Sequence, residues 1–561
     1  MIGALVGTVP EPDVGRLGAA LGTVLLSITA GPGVTPRVGA YLGVGLGFAV
    51  VLVLSRSLAR RTGVPYPVFL VLAGAAGSFL PDMGGLRLRP DVVFLGFLPP
   101  LVYHAGLVTS PRELRANALP IGLGALGLVL ATTFAVAGAA WAAVPSLGFT
   151  AAFVLGAVVA PTDPVAATSV FGRLGIGPPI TTVVEGESLV NDGIALTLLS
   201  VGLAAVSHPI GIGTGLLDFL EVAGGGTAFG LAVGWVASHL RVPMRDSPSQ
   251  IVVSLLVPYA AYLPADALGL SGVLAALAAG LVIGQRTVSG LAPTARIQSA
   301  EFWQALVFLL ESVLFVLVGL QLRQLVAATH GANPAEMALL TGATFVVVVA
   351  VRLGWWLAIP TLRWRPEGGR LVDTGDVTWG QRLALGWSGL RGAISLAAAL
   401  SIPPMVAGTR FPDRNLVVFT TFCVVVGTLV GQGTSLPWLL TRLGVAGDDL
   451  RRRQRAVAER RIAEAALATL DELVADDQVT EDDADLLRLR YQRRVDRARA
   501  MLSDDEDHHR AETRPPLRQV ERRLLATQLR VLHELHRTGD VSFGVMREIR
   551  RELDFEQARY R

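Results

Sequence analysis

An all-α membrane protein is the fold class that the sequence predicts, with about thirteen transmembrane helices followed by a soluble helical C-terminal tail. The chain has 561 residues, of which 52% are hydrophobic and 17% charged, whereas soluble globular proteins carry about 25% charged residues. About half of the charged residues follow Gly447, so the part before it is poorer still in charge. This asymmetry indicates a long membrane domain and a polar tail.

The membrane domain divides into apolar runs, and a helix needs about 20 mainly apolar residues to cross a bilayer. The eighth run is the least regular, because Pro258 and Pro264 interrupt it. The thirteen predicted spans are 40–55, 64–80, 91–108, 117–143, 148–172, 180–206, 213–240, 249–265, 270–285, 301–322, 337–360, 380–402 and 415–440.

Three regions follow from these spans. Residues 1–39 are predicted to form an N-terminal extracytoplasmic extension, residues 40–442 the transmembrane domain and residues 443–561 a cytoplasmic helical tail. In the tail, apolar residues recur at helical spacing from Arg451 to Ala475 and again from Leu524 to Leu535.

Arginine placement sets the predicted orientation. The chain contains no lysine, and arginines are roughly twice as frequent in the gaps after odd-numbered spans as on the opposite side. The N-terminus is therefore expected outside the cell membrane and the tail in the cytoplasm. No basic region precedes the apolar run 17–30, which is a candidate for a short extra helix rather than a signal peptide. The net charge of +3 does not argue for a nucleic-acid partner.

Span five contains two prolines, Pro161 and Pro164, that should break its helix in mid-membrane. Proline removes a backbone donor, and its ring clashes with the preceding turn. Such a break is tolerated in lipid where the freed backbone groups line a cavity. Between the prolines, Thr162 offers oxygens suited to a dehydrated cation. Asp163 can compensate the amide dipoles at the start of the new half-helix.

Span six carries the richest group of oxygen ligands, EGESLVND at residues 185–192. Ser188 and Asp192 are four residues apart, as are Glu187 and Asn191, so each pair lies on one helix face. Burial disfavours the charged form of a carboxylate, so a proton competes there with an alkali cation. Asp192 is therefore expected to hold the two ions in turn.

The second half of the chain repeats the interruption. Span twelve contains Gly389, Arg391 and Gly392, a glycine-interrupted segment with a charge in mid-membrane. Spans one to six and eight to thirteen form two groups of six in opposite orientation, joined by span seven. Interrupted helices at corresponding places in inverted repeats indicate a transport site, here between spans five and twelve.

Four segments together resemble the Na+/H+ exchanger family of bacterial NhaP and animal NHE proteins: FLPPLVYHAG (97–106), PTDP (161–164), EGESLVND (185–192) and GLRGAISL (389–396). The similarity covers the predicted transmembrane domain. It implies a secondary active transporter, not an enzyme, that exchanges Na+ or Li+ for H+ without a cofactor. It also implies a homodimer in the lipid bilayer whose core domain moves like an elevator against a scaffold domain.

The resemblance also assigns the ion site. Asp192 is similar to the ion-binding aspartate of the family, with Thr162, Asp163 and Ser188 around it, so Asp192, Thr162 and Ser188 are expected to hold Na+. Asn191 matches an asparagine that is a second aspartate in related electrogenic antiporters, which also carry an intramembrane lysine. Because this chain has neither, the resemblance implies electroneutral exchange of one proton for each cation.

Two further charged positions are assigned structural roles by the same resemblance. Glu187 resembles an acid that pairs with an arginine in span eleven, here Arg352. Arg391 resembles the arginine at the span-twelve crossover, where it would stabilise exposed helix ends.

Two positions depart from the family pattern. His104 stands where an acid is usual in span three, and Glu311 stands in span ten where the bacterial branch has asparagine. Spans three and ten are equivalent under the inverted repeat. We therefore hypothesise that His104 and Glu311 form a compensating pair that tunes the pH response; the alternative is that they changed independently.

Other functions stay open on the sequence alone. K+/H+ antiport would use the same ligands, because selectivity depends on cavity size and ligand rigidity. An intramembrane aspartyl protease could use Asp163 and Asp192 as a dyad, although Thr162, Ser188 and Asn191 crowd the site with cation ligands. A non-transporting sensor is the third alternative.

Overall fold

The computed structural model is helical throughout almost all of the residues it describes. These are 36–80, 92–109, 114–115, 117–174, 176, 178–207, 212–241, 244, 246–290, 293–329, 333–358, 378–406, 408–445, 449–476, 478–502, 527–528 and 530–532. The chain divides into two compact units between Asp448 and Asp449. The candidate extra helix at 17–30 lies outside the described residues, as does most of the stretch from Leu524 to Leu535.

The first unit contains sixteen helices of seven or more residues among its described residues. They are α1 Pro36–Thr62, α2 Tyr66–Gly77, α3 Val92–Val108, α4 Ala118–Ala143, α5 Gly148–Val159, α6 Val165–Leu174, α7 Pro178–Ser207, α8 Ile212–Arg241, α9 Ser247–Ala267, α10 Gly272–Gly290, α11 Pro293–Leu320, α12 Leu322–Ala328, α13 Pro334–Ala358, α14 Trp379–Trp387, α15 Ala393–Ser401 and α16 Arg414–Arg442. A two-residue antiparallel hairpin, β1 Met405–Val406 with β2 Thr409–Arg410, precedes α16.

The two predicted helix breaks are present. Helix α5 ends at Val159 and α6 begins at Val165, with the proline pair between them. Helix α14 ends at Trp387 and α15 begins at Ala393, with the glycine-interrupted segment between them. Each break therefore separates two half-helices by a short non-helical segment.

Seven helices among the described residues are long and apolar enough to cross a membrane. Shorter apolar helices, including the half-helices of the first break, lie among them. The seven are Ala118–Ala143, Ile180–Val206, Phe219–Arg241, Ser247–Ala267, Ala295–Ala328, Pro334–Ala358 and Arg414–Arg442.

Some helix limits differ from the sequence-based prediction. Helix α1 begins at Pro36, so part of the predicted N-terminal extension is helical. Helix α11 begins at Pro293, eight residues before the predicted span, because a polar amphipathic turn precedes the apolar run. The predicted run 249–265, the least regular of the thirteen, is confirmed as the continuous helix α9, with Pro258 and Pro264 inside it.

The helices pack as two sets that contact mainly their own members. The break set contains both interrupted helices and consists of α4–α7 and α13–α16. The wall set consists of α1–α3 and α8–α11. Glycines allow backbones of the wall set to meet: a Cβ at Gly74 of α2 would collide with the carbonyl of Val316 in α11, and one at Gly319 with that of Val71. Side chains this small favour close helix packing in a bilayer.

The second unit contains an antiparallel pair of polar helices, α17 Asp449–Ala475 and α18 Glu481–Leu502. The sequence predicted α17 but did not single out α18. Arg488 of α18 donates to Asp471 of α17 at 3.1 Å, to Glu481 at 3.1 Å and to Asp485 at 3.3 Å. This exposed network links the two helices.

Candidate functional site

A cavity of about 310 Å³ lies where the two helix breaks face the wall set. Its lining extends from the breaks to Val108 and Thr109 at the end of α3 and to Glu185 near the start of α7. It therefore runs from mid-unit toward the face at which α3 ends and α7 begins. Of the predicted site residues, it is lined by His104, Thr162, Asp163, Ser188, Asp192 and Glu311.

The two breaks are joined to each other through Asp163. The backbone N–H of Asp163 donates to the Leu390 carbonyl at 2.8 Å. Its carboxylate accepts from the N–H of Val165 at 2.9 Å, so it compensates a free amide at the start of α6. Gly392 packs so closely that an added Cβ would collide with the Asp163 carboxylate. Glycine at 392 is therefore required by the crossing of the breaks.

Thr162 connects the first break to α7. Its carbonyl accepts from the Ser188 hydroxyl at 2.8 Å and from the Asn191 amide at 3.4 Å. The Asn191 amide also donates to the Thr162 hydroxyl at 3.0 Å. Asn191 is fully buried, and its side-chain oxygen has no hydrogen-bond partner among the described residues. The structure thus brings Thr162, Ser188 and Asn191 together.

Glu187 and Arg352 form a buried ion pair, each side chain about 1% exposed. Both carboxylate oxygens accept from the Arg352 guanidinium, one of them at 3.0 Å. The Thr162 hydroxyl donates to Glu187 at 3.3 Å. A Cβ at Gly389 would collide with the Arg352 side chain. The pair therefore ties α7 to α13, to Thr162 and to the second break.

Arg391 lies in the second break and is 1% exposed. Its side chain donates to the Gly389 carbonyl at 3.0 Å, and its backbone N–H donates to the Thr428 hydroxyl at 3.1 Å. It thereby occupies carbonyl and amide groups that the interruption of the helix leaves free.

Asp192 follows Ser188 by one helical turn and lines the cavity. Among the described residues, none donates a hydrogen bond to its carboxylate, in contrast to Asp163, Glu187 and Glu311. No described donor therefore occupies the oxygens of this carboxylate. Thr162 and Ser188 line the same cavity, although in this state the Ser188 hydroxyl is directed to the Thr162 carbonyl.

His104 and Glu311 lie on the same cavity, but each has a different partner. Glu311 accepts a hydrogen bond from the Tyr66 hydroxyl at 2.9 Å. The His104 ring stacks on Trp303, with centroids 5.8 Å apart. The hypothesis of a compensating pair therefore needs correction in this state. Glu311 of α11 is hydrogen-bonded to Tyr66 of α2 and not to His104 of α3.

Tyr66 is the site residue that the sequence analysis missed. It directly follows Pro65 at the start of α2, where a tyrosine is usual as an anchor near a membrane interface. Its partner Glu311 is 245 residues away. No local pattern signals that contact, and only the unusual acid at 311 indicated that a partner was needed.

Comparison with known proteins identifies relatives over the same region. Residues 48–442 match the family described as sodium/hydrogen exchanger, transmembrane. An uncharacterised Na+/H+ exchanger of Mycobacterium tuberculosis is 34% identical over 514 residues, which cover 90% of this chain and 94% of that protein. The Na+/H+ antiporter ApNhaP of Aphanothece halophytica is 30% identical and covers 77% of this chain and 79% of its own.

The fold is similar to that of a solved transporter. The sodium proton antiporter MjNhaP1 from Methanocaldococcus jannaschii superposes with a TM-score of 0.55 at 18% identity. The match covers 71% of this chain and 97% of that one. At this identity the likeness concerns the fold.

Proposed function

The chain belongs to the sodium/hydrogen exchanger family, whose members are membrane transporters and not enzymes, and we propose that it exchanges Na+ or Li+ for H+ at the Asp192 carboxylate. The observation that carries this proposal is the cavity-lining carboxylate of Asp192, to which no described residue donates a hydrogen bond, one turn from the Thr162–Ser188 contact. Family membership makes the protease alternative untenable.

Asp192 binds the cation, and the hydroxyl of Ser188 and the oxygens of Thr162 complete its ligands. Na+ is a hard ion that prefers oxygen donors. Binding requires the Ser188 hydroxyl to turn its lone pairs to the ion and release the Thr162 carbonyl. Asp163 holds the start of α6 in place and adds negative potential to the cavity. Asn191 fixes Thr162 through two hydrogen bonds.

Exchange is electroneutral in this account, because a single carboxylate, that of Asp192, exchanges one bound Na+ for one bound H+. Asn191 is neutral, and Glu187 is neutralised by Arg352. Arg391 keeps its charge through the cycle. The loaded site therefore has the same charge with Na+ as with H+, and a membrane voltage does no work on the exchange step.

Alternating access follows from movement of the break set against the wall set in an elevator-like step. Both breaks and the ion ligands belong to the break set, whereas the opposite side of the cavity is formed by α3 and α11 of the wall set. Backbone contacts at Gly74 and Gly319 favour a rigid wall set. In the state seen here, the cavity runs toward the face bearing the end of α3.

Topology and assembly follow from the sequence. We infer thirteen membrane crossings in two inverted six-helix repeats, with an N-terminal extracytoplasmic extension at 1–39, a membrane domain at 40–442 and a cytoplasmic tail at 443–561. The cell membrane is the expected location, and the functional unit is a homodimer. The arginine-rich face, where the cavity opens, is then cytoplasmic.

His104 and Glu311 tune the pH response from separate positions in this proposal. Both line the path to Asp192, so a charge on either changes the potential that an entering ion meets. His104→Glu places an acid beside Trp303 and should shift the pH profile of transport. An unchanged profile would count against a role for position 104.

K+/H+ antiport is the second candidate, because carboxylate and hydroxyl oxygens bind any alkali cation. One vesicle experiment tests both this candidate and the main proposal. Purified protein in vesicles is given Na+, Li+ or K+ across a pH series, and internal pH is recorded for wild type and Asp192→Asn. Wild type should respond to Na+ and Li+, and the variant to none. A response to K+ alone favours the second candidate, and no response to any cation favours the sensor.

A further inference from the structure

We propose that Arg173 is a conformational latch: it joins the half-helix α6 to the turn between α1 and α2 and stabilises the state in which the cavity opens toward that turn. The proposal rests on the alternating access proposed above. It assigns to Arg173 a role in setting the balance between the two access states, and none in ion binding.

The guanidinium of Arg173 uses each of its nitrogens on a different carbonyl. One terminal nitrogen donates to the Ala59 carbonyl at 3.0 Å, and the other donates to the Gly63 carbonyl at 2.7 Å. The inner nitrogen Nε donates to Ser169 of its own helix at 3.2 Å. This fork fixes the direction of the side chain, since the planar guanidinium presents its donors in a rigid arrangement.

The two acceptors lie at the C-terminal end of α1. The Ala59 carbonyl also accepts from the Gly63 N–H at 3.1 Å, and both carbonyls lie at the negative end of the helix dipole. Gly63 has a φ of +77° and follows the helix directly, the position at which glycine commonly ends a helix. A cation here is favourable on electrostatic grounds.

A helix cap within one helix set would have only a structural role. The cap that Arg173 supplies instead connects the break set to the wall set. Helix α1 packs in the wall set, whereas α6 belongs to the break set. Helix α6 begins at the Asp163 cap, so the same ten-residue half-helix carries an ion-site residue at one end and Arg173 at the other. A shift of α6 against α1 that is larger than the Arg173 side chain can follow breaks both hydrogen bonds.

The latch lies on the face toward which the cavity opens. Thr168, one turn before Arg173 on α6, lines the cavity together with Val108 and Thr109. The latch is thus closed in the state that exposes Asp192 to this face, and it must open for the other state to form. Hydrogen bonds to a charged donor are strong enough to change a two-state ratio about tenfold.

The test measures access to the cavity from the two sides of the membrane. In a Cys423→Ser background, Leu101→Cys places a thiol on the wall-set side of the cavity. Its labelling by a membrane-impermeant maleimide is followed in inside-out and right-side-out vesicles. Arg173→Gln should reduce labelling from the cytoplasmic side by up to about tenfold and increase labelling from the outside. Arg173→Lys should give an intermediate value, because a single ammonium cannot reproduce the fork.

Arg60→Gln is the matched control, since Arg60 is an exposed arginine on the same face at the end of α1. It removes the same charge and should leave labelling unchanged. Equal effects of the two glutamine variants, or none from Arg173→Gln, would overturn the latch. Asp192→Asn in the same vesicles should abolish exchange and keep normal labelling. If that variant still exchanges ions, the proposed function fails while the latch result stands.

Discussion

At the scale of single residues, the site depends on contacts so close that one added atom would disturb them. The break in span five, the ligand oxygens of span six and the glycines of span twelve could all be identified in the sequence, because ionisable residues and helix breaks in mid-membrane are costly outside a polar site. Which of them touch could not be predicted. Thr162 is the meeting point of Ser188, Asn191 and Glu187, and spacing along one helix does not reveal a partner on another.

Gly392→Ala should reduce the exchange rate at least tenfold, because the new methyl group collides with the Asp163 carboxylate. Over-packing of a closed site typically costs about 1–3 kcal/mol, and the displaced group here caps α6. The measurement is Na+-driven proton flux in vesicles at equal protein content. Gly431→Ala is the control, since nothing lies within 4 Å of its added Cβ. A wild-type rate in Gly392→Ala would show that the breaks are not in tight contact.

Ser188→Ala should raise the apparent KM for Na+ by about tenfold, because it removes one oxygen ligand. Binding of the proton, which needs only the carboxylate, should be little affected. Initial rates against Na+ concentration give the KM. Ser200→Ala on the same helix is the control, since its hydroxyl is exposed and bonds to the Leu196 carbonyl of its own helix. A KM equal to that of the control would exclude Ser188 as a ligand.

At the scale of helices, hydropathy located most of the described helices of the first unit to within a few residues, because a bilayer requires a minimum apolar length. It placed the ends less well where polar turns extend an apolar helix, as in α11. It did not predict α18, whose buried apolar residues Ala484, Val495 and Ala498 are few and small and so give only a weak helical pattern. The proline-containing α9 was also ambiguous, since proline inside a helix is compatible with a membrane span when neighbours satisfy the freed carbonyls.

Glu187→Gln should destabilise the first unit by about 3–5 kcal/mol, because it leaves the Arg352 charge buried without its partner. The expected result is a lower midpoint for loss of monodisperse protein on heating. Glu464→Gln is the control: Glu464 pairs with Arg460 at the surface of the second unit, where such pairs contribute about 0–1 kcal/mol. Equal midpoints in the two variants would contradict a stabilising role for the Glu187–Arg352 pair.

At the scale of the whole molecule, the described helices of the first unit pack as two sets, which the proposed function uses as the moving and the stationary part. In the proposed function, one carboxylate that accepts either ion links the two fluxes, since an empty, charged site in an apolar cavity is costly. The resemblance in the sequence implied this division. The assignment of each helix to a set came from packing, because apolar helices of both sets have similar compositions.

Lowering the pH should raise the KM for Na+ without changing the maximal rate, because protons and Na+ compete for Asp192. For a single shared site, the KM rises up to about tenfold for each pH unit in the range where the proton is bound. An imposed membrane voltage should leave the rate unchanged. Maximal rates that fall with pH at saturating Na+, or rates that follow the voltage, would contradict one-for-one competition.

Proton release on cation binding tests the central claim most directly. Purified protein in weakly buffered detergent solution is titrated with Na+ while pH and bound Na+ are recorded together. The account predicts one proton released for each Na+ bound by wild type, and neither binding nor release in Asp192→Asn. Na+ binding without proton release in wild type, or undiminished release in the variant, would contradict the claim that both ions use this carboxylate.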